Sequence, residues 1–325
     1  LTSLSLANPL TVPNGGTGQT SFGQGWLNSD GTTLSASTSP TVAYLTATST
    51  TATSTLTDLN FPINSNLFYG GQRFLTSSTT AAGNLTIGYQ TATGLDANGG
   101  LYNTGLGYQA LGNATSTNGN TAVGYQALKG SATISNTGNN TAVGYRALTV
   151  NTTGVDNTAV GYQALIANTT GLQNTAIGKF ALQTNTTGNQ NVAIGRSALR
   201  DNISGSNNFA LGTAALAANT GSFNAALGAS SFTYNTSGLG NIGLGYLSGA
   251  GDNVTQNQRS VIDTYMTFIG YQASRDASIA STTVLTNGTA IGKNAKVGGS
   301  NMLVLGGTGA DSVNVVIGTT SPWAK

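Results

Sequence analysis

The sequence predicts an all-β chain wound as a parallel β-solenoid, or β-roll, and three observations carry that prediction. Glycines closing an "AVG"-like triplet recur at Gly88, Gly107, Gly124, Gly144, Gly161, Gly178, Gly195, Gly212, Gly228 and Gly245, spaced 19, 17, 20, 17, 17, 17, 17, 16 and 17 residues apart. Four residues before each stands an asparagine: Asn84, Asn103, Asn120, Asn140, Asn157, Asn174, Asn191, Asn208, Asn224 and Asn241. The residue immediately before each glycine is Ile, Leu or Val, and the one before that is usually Ala. A unit of 17 residues cannot bury a face alone, so a fixed period of this length signals units that stack.

In chain order, residues 1–80 fall outside the period. "NPLTVPNGGTGQTSFG" is punctuated by Gly and Pro, and "YLTATSTTATSTLTDLNF" is a Thr/Ser tract of strand-like composition. A Thr/Ser/Gly-rich β stalk or shaft is expected there. Residues 81–250 hold the regular repeat. "NTAVG" alternates with a period of two and is rich in β-branched residues, which suits a short strand. Ala and Leu follow three and four residues after the glycine in the central copies, as at Ala147 and Leu148. Seven residues after it comes a second Asn column (Asn151, Asn168, Asn185, Asn202, Asn219 and Asn235), often with a Gly three residues later. Each unit therefore reads as extended segment, Gly corner, second extended segment and "NTTG" corner, around a small Ala/Val/Leu core. Over 251–325 the spacing loosens to 25, 22, 14 and 12 residues at Gly270, Gly292, Gly306 and Gly318, and irregular β-roll turns are expected.

Stacking explains the columns. Carboxamides repeated at strand spacing, about 4.8 Å, can bond to the copies above and below as a ladder. Asn also suits turns, and Gly permits positive φ or close backbone approach. The Asn and Gly columns are therefore read as structural.

Composition removes several function classes. Only 6% of residues are charged, there is no His, Cys or Glu, and the net charge is +2. Without His, a Ser–His–Asp or Cys–His device cannot be built. Without His or Cys, zinc and most transition-metal sites are excluded, so no metal or cofactor is expected. The bases form no run, which argues against nucleic acid as a partner. No apolar run reaches the eighteen or so residues of a membrane span, so no membrane insertion by this segment is expected. The chain opens at Leu1 without a signal-like segment and is read as a portion of something longer.

Chemical motifs are thin. "GLGNIG" (Gly238 to Gly243) matches GxGxxG but sits inside the repeat, so a dinucleotide site is rejected. The nine Asp are scattered; Asp252 with Asp263 is the nearest approach to the carboxylate pair of a depolymerase. Thr104, Thr121, Thr141, Thr158 and Thr175 form a column of the kind an ice-binding face needs, interrupted by Val192 and Phe209, which read as inward-facing. A further column directly follows the anchor glycines: Tyr89, Tyr108, Tyr125, Tyr145 and Tyr162, then Lys179 and Arg196. It suits either a glycan-stacking surface or the seam of a homo-oligomer, and the seam is favoured because a thin roll gains most by burying surface between chains.

At "NVAIG" (Asn191 to Gly195) and "NTAVG" (Asn157 to Gly161) the chain resembles the YadA-like heads of trimeric autotransporter adhesins, over residues 81–250 closely and 266–318 loosely. The family unit is usually shorter. The resemblance implies a left-handed parallel β-roll, an elongated homotrimer, an extracellular place on a bacterial cell surface, and attachment to cells, matrix or glycans through a glycan or protein receptor. "NGGTGQT" (Asn14 to Thr20) and "NVVIGTTSPWAK" (Asn314 to Lys325) are similar to segments of bacteriophage tail fibres, which implies the alternative of a virion tail fibre binding a host receptor. The expectation is a non-enzymatic fibre; a depolymerase or an ice-binding protein is the lesser reading.

Overall fold

The structure, a computed structural model, describes residues 83–92, 100–130, 134–250, 262–280 and 282–307, and short strands before them. Two compact units divide the chain, Leu1–Asn60 and Phe61–Lys325. In the first, Leu4–Ser5 pairs antiparallel with Ser21–Phe22, and Trp26–Ser29 with Leu34–Ser37. Apart from these strands and a hairpin over 66–77, the rest of the expected stalk lies outside the described residues, as do the "NGGTGQT" segment and the C-terminal stretch with Gly318.

The second unit is a parallel β-solenoid, and no helix occurs among the described residues. Its sheet has 15 strands. Thirteen of them, from Leu85–Ile87 to Leu303–Leu305, are three residues long and run parallel, one per coil. Register follows the repeat: Thr141, Ala142 and Val143 oppose Thr158, Ala159 and Val160, which oppose Thr175, Ala176 and Ile177. The same sheet runs on through Thr267–Ile269 and Thr289–Ile291. At the other end the hairpin Asn66–Tyr69/Gln72–Ser77 pairs antiparallel with Leu85–Ile87, covering an edge that would otherwise expose unpaired backbone.

The core is a file of small side chains. In the Gly144 coil Ala142, Ala147 and Leu148 are fully buried, as are their equivalents Ala159, Ala164 and Leu165 one coil on. The residue before each glycine is not part of it: Val143 and Val160 are half-buried, and Ile177 and Leu211 are exposed. The expected Ala/Val/Leu core is thus an Ala/Leu core. Val192 and Phe209 likewise do not point inward; Val192 is half-exposed and Phe209 is 37% exposed. The strand's single inward position is its central one, and the narrow lumen takes Ala there. Where Phe232 replaces the usual Leu, the central residue of the next strand shrinks to Gly243, whose Cβ would lie 2.6 Å from the Phe232 ring. Phe232 then stacks on Phe268 at 5.5 Å.

The second segment of each unit departs from the expected extended form. After Gly144 the sign of φ alternates, with Arg146 at 54° and Leu148 at 53° flanking Ala147. The backbone still bonds from coil to coil: Arg146 donates to the Tyr125 carbonyl at 2.8 Å, and Leu148 to that of Ala164 at 3.0 Å. Left-handed φ costs non-Gly residues about 1–2 kcal/mol each. Bonds to both neighbouring coils and the burial of Leu148 offset that cost.

Anchor glycines carry φ between 123° and 138° from Gly88 to Gly245. At Gly124 an added Cβ would sit 2.6 Å from the carbonyl oxygen of Gly144, so coil spacing itself requires the missing side chain.

Both Asn columns are buried inside the roll. In the first, Asn174 donates its backbone N–H to Oδ1 of Asn157 at 2.9 Å and its Nδ2 to the Gly188 carbonyl at 2.8 Å. The same pattern links Asn84 to Asn103 at 2.7 Å and continues to Asn241, where the backbone N–H of Met266 takes the place of the next asparagine. In the second column Nδ2 of Asn168 and Asn185 each donate 2.9 Å to Oδ1 of the preceding copy. The ladder is therefore mostly side chain to backbone, which satisfies corner groups that a thin roll cannot bury in a larger core.

Candidate functional site

The column after the anchor glycines lies on the surface. Tyr89, Tyr108, Tyr125, Tyr145 and Tyr162 are 40–43% exposed. Their spacing is set by the backbone, because each Tyr carbonyl accepts an N–H from the next coil, as from Gln163 to Tyr145 at 2.9 Å. The rings stack: centroids are 5.5, 5.3, 5.1 and 5.1 Å apart, with interplanar angles of 27°, 8°, 8° and 7°. Parallel rings at such separations are offset, each covering part of its neighbour's face. Phe180 closes the stack edge-on against Tyr162 at 5.5 Å, and the Lys179 ammonium lies 5.4 Å from the Tyr162 centroid and 4.8 Å from that of Phe180. Lys179 and Arg196 continue the column and are exposed. Tyr246 and Tyr271 resume it, stacked at 5.7 Å.

A Gln column runs beside it. Gln109 donates to Gln90 at 2.6 Å, and Gln126 to Gln109 at 2.8 Å. Arg146 takes the next place, and its Nε is buried without a hydrogen-bond partner among the described residues. A shallow cleft of about 150 Å³ lies among Gln90, Gln109, Gly112, Asn113 and Lys129. That is below the roughly 300–1,000 Å³ of a small-molecule pocket. The repeat's two columns, rather than a pocket, are the concentrated chemistry of the surface.

The opposite side of the anchor glycine carries a different surface. The residue before each glycine forms an outward apolar row that includes Ile177, Leu211, Leu244, Ile291 and Leu305, each 38–47% exposed. The first strand position makes a parallel row: Thr from Thr104 to Thr175, then Val192, Phe209, Ala225 and Ile242. Sequence reading missed this face by placing its larger side chains inside. The Thr column is half-exposed and in register.

Carboxylates are not assembled into a pair among the described residues. Asp252 lies outside them, and Asp263 is fully buried against Arg275, which contacts its two oxygens at 3.0 and 3.1 Å. Asp263 also accepts the Leu285 N–H at 2.9 Å, while Arg275 donates to the carbonyls of Ala280 and Thr283. Burial pushes the Asp263 carboxyl up, against the Leu285 N–H and the Arg275 charge, which pull it down. Arg275 was not singled out in the sequence; twelve residues from Asp263, it shows no repeat signal. Asp201 pairs with Arg200 at 2.6 Å on the surface and raises that guanidinium. No grouping of three or more possible metal ligands occurs among the described residues, and no helix there is long and apolar enough to cross a membrane.

Compared with protein-family models, curated proteins and solved structures, the chain matches none.

Proposed function

We propose that the chain is a non-enzymatic extracellular fibre, assembled from three copies, that attaches a bacterial cell to cells, matrix or glycans through many weak contacts. One observation carries this reading: the solenoid sheet keeps a long apolar face uncovered. Thirteen coils at about 4.8 Å make that face roughly 58 Å long, and two side chains per strand make it about 10 Å wide. One of its two rows is Ile, Leu or Val throughout and the other turns from Thr to Val192, Phe209, Ala225 and Ile242, so the apolar part is on the order of 300–600 Å², the size of patch that on monomers is often functional. Identical parallel rows on each copy suit a closed assembly of this chain about a common axis. The seam is then formed by these two rows and not by the Tyr column.

The function that follows is reach combined with avidity. Three copies of a shallow repeated surface bind a repeated ligand far more tightly than one copy does. Substituting Leu211→Glu together with Leu244→Glu should separate the copies while leaving each roll folded. Retention of the wild-type and variant chains on immobilised matrix proteins and polysaccharides tests the reading. Apparent affinity should drop by roughly 10²-fold or more in the separated chain. Equal retention of both would remove multivalent attachment as the function.

A further inference from the structure

We propose that the Tyr and Gln columns form a track for a linear acidic polysaccharide laid along the solenoid axis. The proposal rests on the attachment reading above and names its ligand. Charge is segregated between these columns and the rest of the chain. Twelve described coils place 24 residues in the two columns; seven are Tyr, five are Gln, one is Asn, four are Lys or Arg, and none is Asp. The cations are Arg146, Lys179, Arg196 and Lys293, so four of the chain's eleven bases and none of its nine acids fall on this track. The track has one sign of charge and is otherwise dense in hydroxyl and amide groups.

Ring geometry decides how such a ligand is held. Tyr108, Tyr125 and Tyr145 each have a near-parallel ring on both sides at 5.5 Å or less. Their remaining 40–43% exposure therefore lies along ring edges and the phenol end rather than on open faces. A ligand that stacks flat, such as the bases of a single-stranded nucleic acid, finds its platform already covered. A polyol meets a row of phenol groups advancing by one coil per step. Successive rings of an extended pyranose chain advance by nearly the same distance, so one sugar meets one coil. The Gln carboxamides alongside add donors and acceptors at the same repeat.

Charge selects among polysaccharides. The contacts of Lys179 with the Tyr162 and Phe180 rings fix its ammonium at the end of the Tyr stack. Arg196 stands one coil further along the same column. Arg146 interrupts the Gln column within the stack and is half-exposed there. A guanidinium in that position favours a carboxylate or sulfate on the passing chain over a neutral hydroxyl.

The test uses the intact chain with two probes of matched length, polygalacturonate and neutral dextran, and oligo-thymidylate as a third arm. Binding is followed by calorimetry at low and moderate salt. Two variants spare the core: Lys179→Ser with Arg196→Ser, and Tyr125→Phe with Tyr145→Phe, which keeps the ring stack and removes two hydroxyls. Circular dichroism verifies that each stays folded. Polygalacturonate should bind in preference to dextran and weaken with salt. Its affinity should fall roughly tenfold or more when the two cations are removed, as expected for loss of charge-assisted contacts. The Tyr pair should lower affinity several-fold with the fold intact. Equal binding of dextran, tighter binding of oligo-thymidylate, absence of polygalacturonate binding, or folded variants that bind like wild type would each overturn the proposal. Sedimentation of the same sample reads the assembly separately. A trimer that ignores polygalacturonate sinks the ligand alone, and a monomer that binds it sinks the fibre alone.

Discussion

The backbone N–H of Asn191 donates to Oδ1 of Asn174 at 3.0 Å, and Nδ2 of Asn191 reaches the same oxygen at 3.1 Å and the Gly205 carbonyl at 2.8 Å. One side chain thus bonds to the coils on both sides, since its Oδ1 also accepts the N–H of Asn208. Replacing Asn191 by Leu would leave the N–H of Asn208 without its acceptor inside the roll, while the Gly205 carbonyl would keep the Asn202 Nδ2 donor. Each buried polar group left unmet costs about 1–3 kcal/mol. Asn191→Leu should therefore lower stability by about 1–3 kcal/mol in denaturant titration. An exposed control, Thr187→Ala, should cost less.

Anchor glycines give a second prediction. At Gly161, φ is 136° and an added Cβ would lie 2.6 Å from the Gly178 carbonyl oxygen. At Gly298 an added Cβ meets nothing within 4 Å. Gly161→Ala should destabilise by about 3 kcal/mol or more, through strain and coil separation together. Gly298→Ala should be close to neutral. Comparable losses at the two positions would show that coil spacing does not depend on the anchor.

The Asn and Gly columns were legible in the sequence because the same residue type had to recur at the same place in every coil. Asn157, Asn174 and Asn191 announce themselves by period, before any geometry is known. The direction of each side chain was less legible. In "TAV" the larger Val suggests an inward position by ordinary hydrophobicity, yet the strand's pleat turns only the central Ala into the lumen. Positive φ at Arg146 and Leu148 was hidden for a related reason. Intrinsic preference opposes it, and only bonds to the coils on either side impose it. The stacking of Tyr108 on Tyr125 followed from the period, but which face of the roll they occupy did not.

The buried pair at the C-terminal coils gives a third prediction. Arg275→Leu leaves the Asp263 carboxylate uncompensated inside the roll and should cost about 3–5 kcal/mol. Asp263→Leu combined with Arg275→Met removes both charges and should recover most of that loss, since apolar replacement of a buried pair is often neutral or better. Equilibrium unfolding of the three chains checks it. A double variant as weak as Arg275→Leu would show that the charges themselves are required.

Acidity gives a fourth prediction, with two opposite signs. The folded carboxyl of Asp263 titrates above its unfolded value, chiefly through burial. Its contribution to stability is fully present below the unfolded pKa, near 3.9, and is lost as pH rises through the folded value. Asp276 is the reverse: the Ser278 hydroxyl and then its backbone N–H hold its carboxyl below the usual range. Its contribution is present above the unfolded pKa and lost as pH falls through the folded value. Relative to wild type, Asp263→Asn should therefore gain stability as pH rises from 4, and Asp276→Asn should gain it as pH falls below 4. Urea titrations at a series of pH values give both slopes.

Assembly is the premise on which attachment depends, and sedimentation equilibrium at neutral pH measures it directly. The account predicts a species of three times the 32.5 kDa chain mass, reduced to one chain by Leu211→Glu with Leu244→Glu at unchanged circular dichroism. A wild-type mass of 32.5 kDa across the accessible concentration range would contradict it.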